Sequence, residues 1–67
     1  ILYRNKGSIA GDNHINPEET IYFIEGEAEI TLENKTWIVK SPAKVFFPKE
    51  TYHKIKALTD IAFVLFD

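Results

Sequence analysis

The stretch that decides the fold reads Thr20-Ile21-Tyr22-Phe23-Ile24, then Glu25-Gly26-Glu27, then Ala28-Glu29-Ile30-Thr31-Leu32. Its first segment is dense in β-branched and aromatic residues, which favour strands. Its last segment alternates apolar and polar residues with a period of two, as a strand buried on one face does. The stretch therefore predicts two successive strands with a break at Gly26.

Short strands of the same kind follow one another along the rest of the chain. The further segments with strand character are Ile1–Arg4, Ile9–Ile15, Thr36–Val39, Val45–Phe47, Tyr52–Leu58 and Ile61–Phe66. Turn-forming residues separate them, and no segment has a sustained helical period. Frequent turns between short strands are typical of sandwiches and barrels, so we predict an all-β fold, a small antiparallel β-barrel.

Composition narrows the function classes. The chain has 67 residues, 45% hydrophobic and 27% charged, which is typical of one small globular domain, here residues 1–67. A formal net charge of −2 argues against a nucleic-acid partner, and no apolar run is long enough to span a membrane. Cysteine is absent, which excludes disulfides and thiolate metal sites and fits a cytoplasmic protein. Because the chain begins at Ile1 rather than Met, a complete domain and a fragment of a longer chain both stay open.

The direction of the His53 side chain follows from strand alternation. His53, Ile55 and Ala57 share one face of the predicted strand, while Lys54 and Lys56 occupy the other. The lysine face must contact water. We therefore expect His53 to point into the interior.

Other residues of metal-binding type share this inward direction. Glu19 has the same parity as Ile21 and Phe23, so its carboxylate lies at the head of an apolar face. Asp12 and His14 are two residues apart and share a face of the preceding strand. A buried charge is costly unless it is paired or bound to a metal. Three strands are thus expected to direct ligand-type side chains towards one point.

The spacing of these residues resembles the two-part signature of the cupin superfamily, Gly-x5-His-x-His-x3–4-Glu-x6-Gly followed by Gly-x5-Pro-x-Gly-x2-His. Six residues separate Glu19 from Gly26, and His14 precedes Glu19 at the distance of the second histidine of the first motif. Pro48 and His53 have the spacing of the second motif. The resemblance implies a double-stranded β-helix of jelly-roll type.

The chain also departs from that signature. Asp12 stands at the first histidine position, and Pro42 and Glu50 stand where the second motif has glycines. A rival alignment takes His14 and Asn16 as the two histidine positions, but then only two residues separate Asn16 from Glu19, where the motif has three or four. We prefer the alignment on Asp12 and His14.

If a metal binds, the candidate ligands are Asp12, His14, Glu19 and His53, which supply two nitrogens and two carboxylate donors. Such a set suits a divalent ion such as Zn, Mn, Fe or Ni and leaves coordination positions for water or substrate. Cupins of this size resemble parts of sugar-processing isomerases and epimerases, and others are dioxygenases. The sequence assigns no catalytic residue and leaves open whether the protein is an enzyme.

Two other functions stay open. A cupin barrel can bind a small molecule without turnover, or serve as a dimerisation module with a vestigial site. Taken singly, His53 reads equally as a hydrogen-bonded core residue, Glu19 as the partner of a lysine, and Asp12-Asn13 as a turn.

The last predicted strand indicates a homodimer. Ile61–Phe66 is apolar on both faces, so one face can fill the barrel while the other needs a second cover. An exposed apolar strand of this kind is prone to aggregation. We expect a second copy of the chain to supply that cover, and the alternative is that further parts of a longer chain supply it.

Overall fold

The part of the chain that the structure describes folds into eight β-strands. The computed structural model describes residues 1–13 and 17–66, without the side chains of residues 12 and 13. The strands are β1 (Leu2–Arg4), β2 (Ile9–Asn13), β3 (Glu19–Glu25), β4 (Glu27–Leu32), β5 (Lys35–Lys40), β6 (Ala43–Phe47), β7 (His53–Ala57) and β8 (Ile61–Phe66). The described ranges contain no helix that could cross a membrane.

The strands form two four-stranded antiparallel sheets. The first sheet has the order β1-β8-β3-β6 and the second the order β2-β7-β4-β5. Apart from β4 and β5, consecutive strands lie in different sheets, so the chain crosses the core repeatedly. This is the jelly-roll arrangement, and it confirms the predicted all-β fold of double-stranded β-helix type.

The core lies between the sheets and is built by alternation. Ile21 and Phe23 of β3, Ile30 of β4 and Phe47 of β6 are fully buried. Phe63 of β8 contacts Phe23 with ring centroids 5.8 Å apart and planes tilted by 47°. Such tilted aromatic pairs add to the free energy gained by burying apolar area.

The break at Gly26 has a steric cause. Gly26 has φ 89°, and a Cβ at this position would overlap the carbonyl oxygen of Asp60 and lie 2.7 Å from Thr59 Oγ1. The next residue, Glu27, donates its backbone N–H to Thr59 Oγ1 at 3.0 Å. Glycine therefore lets the chain pass from the first sheet to the second in contact with the β7–β8 turn.

The outer faces of the two sheets differ in chemistry. The first sheet exposes mainly apolar side chains on the face turned away from the core, namely Tyr3, Tyr22, Phe46 and Phe66, together with the exposed Lys44. On the second sheet that face carries mainly charged side chains, including Glu27, Glu29, Lys54 and Lys56, together with the exposed Ile9 and Ile38. We refer to the first group as the apolar outer face.

Candidate functional site

A cavity of about 240 Å³ lies between the sheets. Its polar lining comes from Arg4, Glu19 and His53, and its apolar lining includes Ile21, Ile55 and Phe63. Residues distant in sequence meet there because β1, β3 and β8 belong to the first sheet and β2 and β7 to the second. The cavity is the natural place to look for function, since a few polar groups converge within apolar walls.

His53 is the buried polar residue of this cavity. It begins β7 and keeps only 4% of its surface exposed, as the alternation of that strand predicts. Its ring stacks on Phe47 with centroids 4.5 Å apart and planes at 28°. Within the described part of the chain, Nδ1 of His53 is buried without a hydrogen-bond partner. A buried polar atom left unsatisfied costs about 1–3 kcal/mol, so this nitrogen destabilises the fold unless a group outside the described residues pairs with it.

Glu19 reaches the same cavity from the opposite sheet. It begins β3, is half-buried and stands in register with Phe47 of β6. Phe47 therefore neighbours Glu19 along the first sheet while its ring supports the imidazole of His53. The structure thus brings Glu19 and His53 to one cavity, with Phe47 in contact with the imidazole.

Gly11 allows the backbone of β2 to approach His53 closely. It has φ 86°, and the register of β2 on β7 shifts between Gly11 and Asn13, which marks a β-bulge. A Cβ on Gly11 would lie 2.9 Å from the His53 carbonyl oxygen, 3.0 Å from Cδ2 and 3.2 Å from Nε2. Only glycine fits such a contact without displacement, so the imidazole is held between Gly11 and Phe47.

Arg4 supplies a positive charge at the cavity. It ends β1, and its guanidinium carbon lies 5.9 Å from the centre of the Phe63 ring. Nη1 of Arg4 donates a hydrogen bond to the carbonyl oxygen of Tyr3 at 2.9 Å. Among the described side chains, no carboxylate lies within 4.0 Å of the Arg4 guanidinium. The ion pair found among them joins Lys40 and Glu27, 3.8 Å apart.

The other candidate ligands cannot be placed. His14 and the rival Asn16 lie outside the described residues, and so does the side chain of Asp12, whose backbone belongs to β2. Among the described residues, no group of three or more His, Cys, Asp or Glu side chains could hold a metal. One imidazole and one carboxylate suit a divalent ion chemically, but protein metal sites commonly use three or four ligands. A complete site therefore needs Asp12 or His14.

The sequence did not indicate a role for two cavity residues, Arg4 and Gly11, or for Phe47, which stacks on His53. Phe47 directly precedes Pro48 of the second motif, which was a usable signal. Arg4 and Gly11 carried none, because a three-residue edge strand and a bulge leave no distinctive pattern.

Comparison with known families decides the identity of the fold. The family model described as a cupin domain matches residues 3–67. The chain belongs to the cupin domain family. This confirms the resemblance seen in the motif spacing of Glu19, Gly26, Pro48 and His53.

Two similar proteins add no named activity. The uncharacterized protein MJ1618 of Methanocaldococcus jannaschii is 33% identical over 48 residues, which cover 72% of this cupin and 38% of MJ1618. The crystal structure of SPY1581 from Streptococcus pyogenes, a protein of unknown function, superposes with a TM-score of 0.86 at 22% identity. That match covers 94% of this cupin and 55% of the SPY1581 chain. This cupin thus spans about two-fifths of MJ1618 and about half of the SPY1581 chain. At 22% identity, the likeness to SPY1581 shows a shared fold and nothing more.

At one position where the sequence departs from the cupin signature, the backbone has the conformation that a glycine favours. Glu50 stands at the inner glycine position of the second motif and has φ 59°, in the left-handed region that favours glycine. Thr51 Oγ1 donates to the carbonyl oxygen of Pro48 at 2.6 Å across the same turn. The turn that leads into His53 therefore has a left-handed residue without glycine, at a conformational cost.

Proposed function

We propose that this cupin binds a small polar ligand in the cavity between its sheets through a divalent metal ion. His53 and Glu19 hold the ion, and His14 and Asp12 complete its coordination. The observation that supports this most directly is that the buried His53 and the half-buried Glu19, which belong to opposite sheets, line one cavity. A bound ion or ligand would compensate the desolvation of both groups.

Phe47 and Gly11 hold the imidazole of His53 in position. Phe47 fixes the ring plane by stacking, and the bare backbone of Gly11 lets β2 lie against the Cδ2–Nε2 edge. Nδ1 lies on the opposite side of the ring from that edge. When bound, a Zn, Mn, Fe or Ni ion would act as a Lewis acid towards a ligand oxygen. Isomerase, epimerase and dioxygenase activities, a sugar-related ligand and a cytoplasmic location stay predictions.

A second candidate function is ligand binding without metal or turnover. It is favoured by the apolar residues that form most of the cavity lining, including Ile21, Ile55 and Phe63. In that case the imidazole of His53 and the carboxylate of Glu19 would bind the ligand directly by hydrogen bonds.

Metal uptake tests the first proposal against the second. The protein is stripped with EDTA and incubated with Zn, Mn, Fe or Ni; one portion is freed of excess ion and assayed for bound metal, and another is melted with the ion still present. At a free concentration 100-fold above Kd, binding adds about 2.7 kcal/mol, which raises the melting temperature of a domain this small by roughly 10–20 °C. His53→Ala should abolish both effects, and Glu19→Gln should weaken them.

The matched control is Glu29→Gln. Glu29 alternates with the buried Ala28 and Ile30 on β4, so its side chain faces away from the cavity, and this variant should take up metal normally. A wild-type protein that retains no ion, and whose melting temperature none of the four metals changes, would contradict the metal proposal.

We also propose a homodimer formed through the apolar outer face. Phe46 and Phe66 are 50% and 51% exposed on this face and flank Thr20 of β3 on its two sides. The outer face of the second sheet is mainly charged and needs no cover. Contiguous exposed aromatic side chains mark association surfaces, and a second copy offers the same apolar chemistry.

A further inference from the structure

We infer that the ligand of this cavity is a small monocarboxylate with an apolar body, and that Arg4 binds its carboxylate group. The inference rests on the proposed function of the cavity as a ligand site and deepens it by naming the ligand class. It uses Arg4, a residue outside the cupin motifs.

The placement of Arg4 is the first step. Leu2 and Arg4 line the cavity, whereas Tyr3 between them faces the other side of the sheet. All three residues of this edge strand are exposed, so Arg4 lies at the solvent-accessible part of the cavity wall. Arg4 stands in register with Ile61 of β8 and lies over the ring of the buried Phe63. The aromatic ring supports the guanidinium at the cavity wall, since cations are attracted to aromatic faces.

The free hydrogen-bonding capacity of Arg4 is the second step. A guanidinium has five N–H donors in a planar fork, and the hydrogen bond from Nη1 to the Tyr3 carbonyl oxygen uses one of its nitrogens. No described carboxylate lies within 4.0 Å of Arg4, although Glu19 lines the same cavity. The remaining donors can bind a carboxylate, and their planar geometry suits a bidentate contact.

The charged groups of the described lining suit a single carboxylate. Arg4 is the only permanent cation among the described lining residues, and Glu19 lines the same cavity. A divalent ion held by Glu19, as proposed above, would occupy that carboxylate and leave Arg4 as the protein's own anion-binding group. One guanidinium matches one carboxylate in charge and in the planar geometry of its donors.

Size and wall chemistry set the rest of the ligand. The cavity of about 240 Å³ is smaller than the 300–1,000 Å³ typical of pockets for drug-sized molecules. Ile21, Ile55 and Phe63 form apolar walls beside the polar groups. The ligand is therefore a small carboxylate whose remainder is a short aliphatic chain or one ring.

Benzoate and benzamide are the probes, because they share shape and differ in charge. Each probe is titrated into the Zn-loaded protein, and its binding is followed by NMR. If the protein retains no metal, the metal-free protein is used instead. We expect wild type to bind benzoate about 10-fold or more tightly than benzamide, the ratio that a charge-assisted pair supplies. Arg4→Gln should bring that ratio close to one, and Arg4→Lys should retain part of it. Lys56→Gln, which removes an exposed lysine from the outer face of the second sheet, should leave it unchanged.

The outcomes separate the two proposals. Equal affinity of wild type for benzoate and benzamide, or a ratio that Arg4→Gln does not alter in a protein with a native spectrum, overturns the carboxylate inference. Tighter binding of inorganic phosphate than of benzoate also overturns it. In each case metal uptake through His53 can still be measured and the proposed function stands. Absence of metal uptake together with absence of any probe binding at the cavity refutes both.

Discussion

Replacing Gly11 by alanine should damage the fold more than the same change at Gly7. Both glycines have a positive φ, 86° at Gly11 and 90° at Gly7, so alanine meets similar backbone strain of about 1–2 kcal/mol at each. The surroundings differ. A Cβ at Gly7 meets nothing within 4 Å, whereas at Gly11 it meets His53 atoms at 2.9–3.2 Å.

The contacts at Gly11 set the size of the difference. Forcing a methyl group into such a packed site costs about 1–3 kcal/mol more, through displacement of the neighbouring ring and backbone. We therefore expect Gly7→Ala to lower the free energy of unfolding by about 1–2 kcal/mol, and Gly11→Ala by about 2–5 kcal/mol. Urea unfolding followed by the fluorescence of Trp37 measures both values.

A double-mutant cycle with His53→Ala identifies the cause. Removing the imidazole relieves the contacts at 3.0 and 3.2 Å but leaves the carbonyl contact at 2.9 Å, so Gly11→Ala should cost less in that background. Ligand or metal binding at His53 should also weaken in Gly11→Ala and not in Gly7→Ala. Equal costs for the two glycine variants, or strict additivity with His53→Ala, would refute the steric account.

Two further predictions concern the left-handed turns and the apolar outer face. Glu50→Gly should stabilise the fold by about 1 kcal/mol because glycine adopts the observed φ of 59° without strain. Glu33→Gly should stabilise it less, because the Glu33 carboxylate also accepts a hydrogen bond from the Tyr52 N–H at 3.1 Å, which glycine loses. Thermal unfolding compares the two, and a loss of stability in Glu50→Gly would contradict the assignment of strain. Phe46→Lys should shift the protein from dimer to monomer in sedimentation at micromolar concentration, whereas Ile38→Lys, on the outer face of the other sheet, should not. A wild-type protein that sediments as a monomer would disprove the homodimer.

The inward residues of the inner strands were predictable because burial imposes a strict period of two. Glu19 and His53 keep that period on β3 and β7, and their apolar neighbours fix which face is buried. The period fails as a guide at Gly11, where the register shift interrupts it. Arg4 was out of reach for another reason: its place at the cavity depends on pairing of β1 with β8, near the far end of the sequence. The positions of Asp12 and His14 as metal ligands stay predictions.

The cavity is lined by inner strands and by edge strands of the two sheets. Glu19 and His53 belong to β3 and β7, which have a hydrogen-bonded neighbour on both sides, whereas Arg4 and Gly11 belong to the edge strands β1 and β2. Opening an edge strand breaks one ladder and leaves the rest of the sheet paired, so amide hydrogens of β1 and β2 should exchange with solvent before those of β3 and β7. The same division bears on evolution. Substitutions on β1 can change which ligand is selected at small cost in stability, while the pair that would hold a metal stays fixed in the sheet interior.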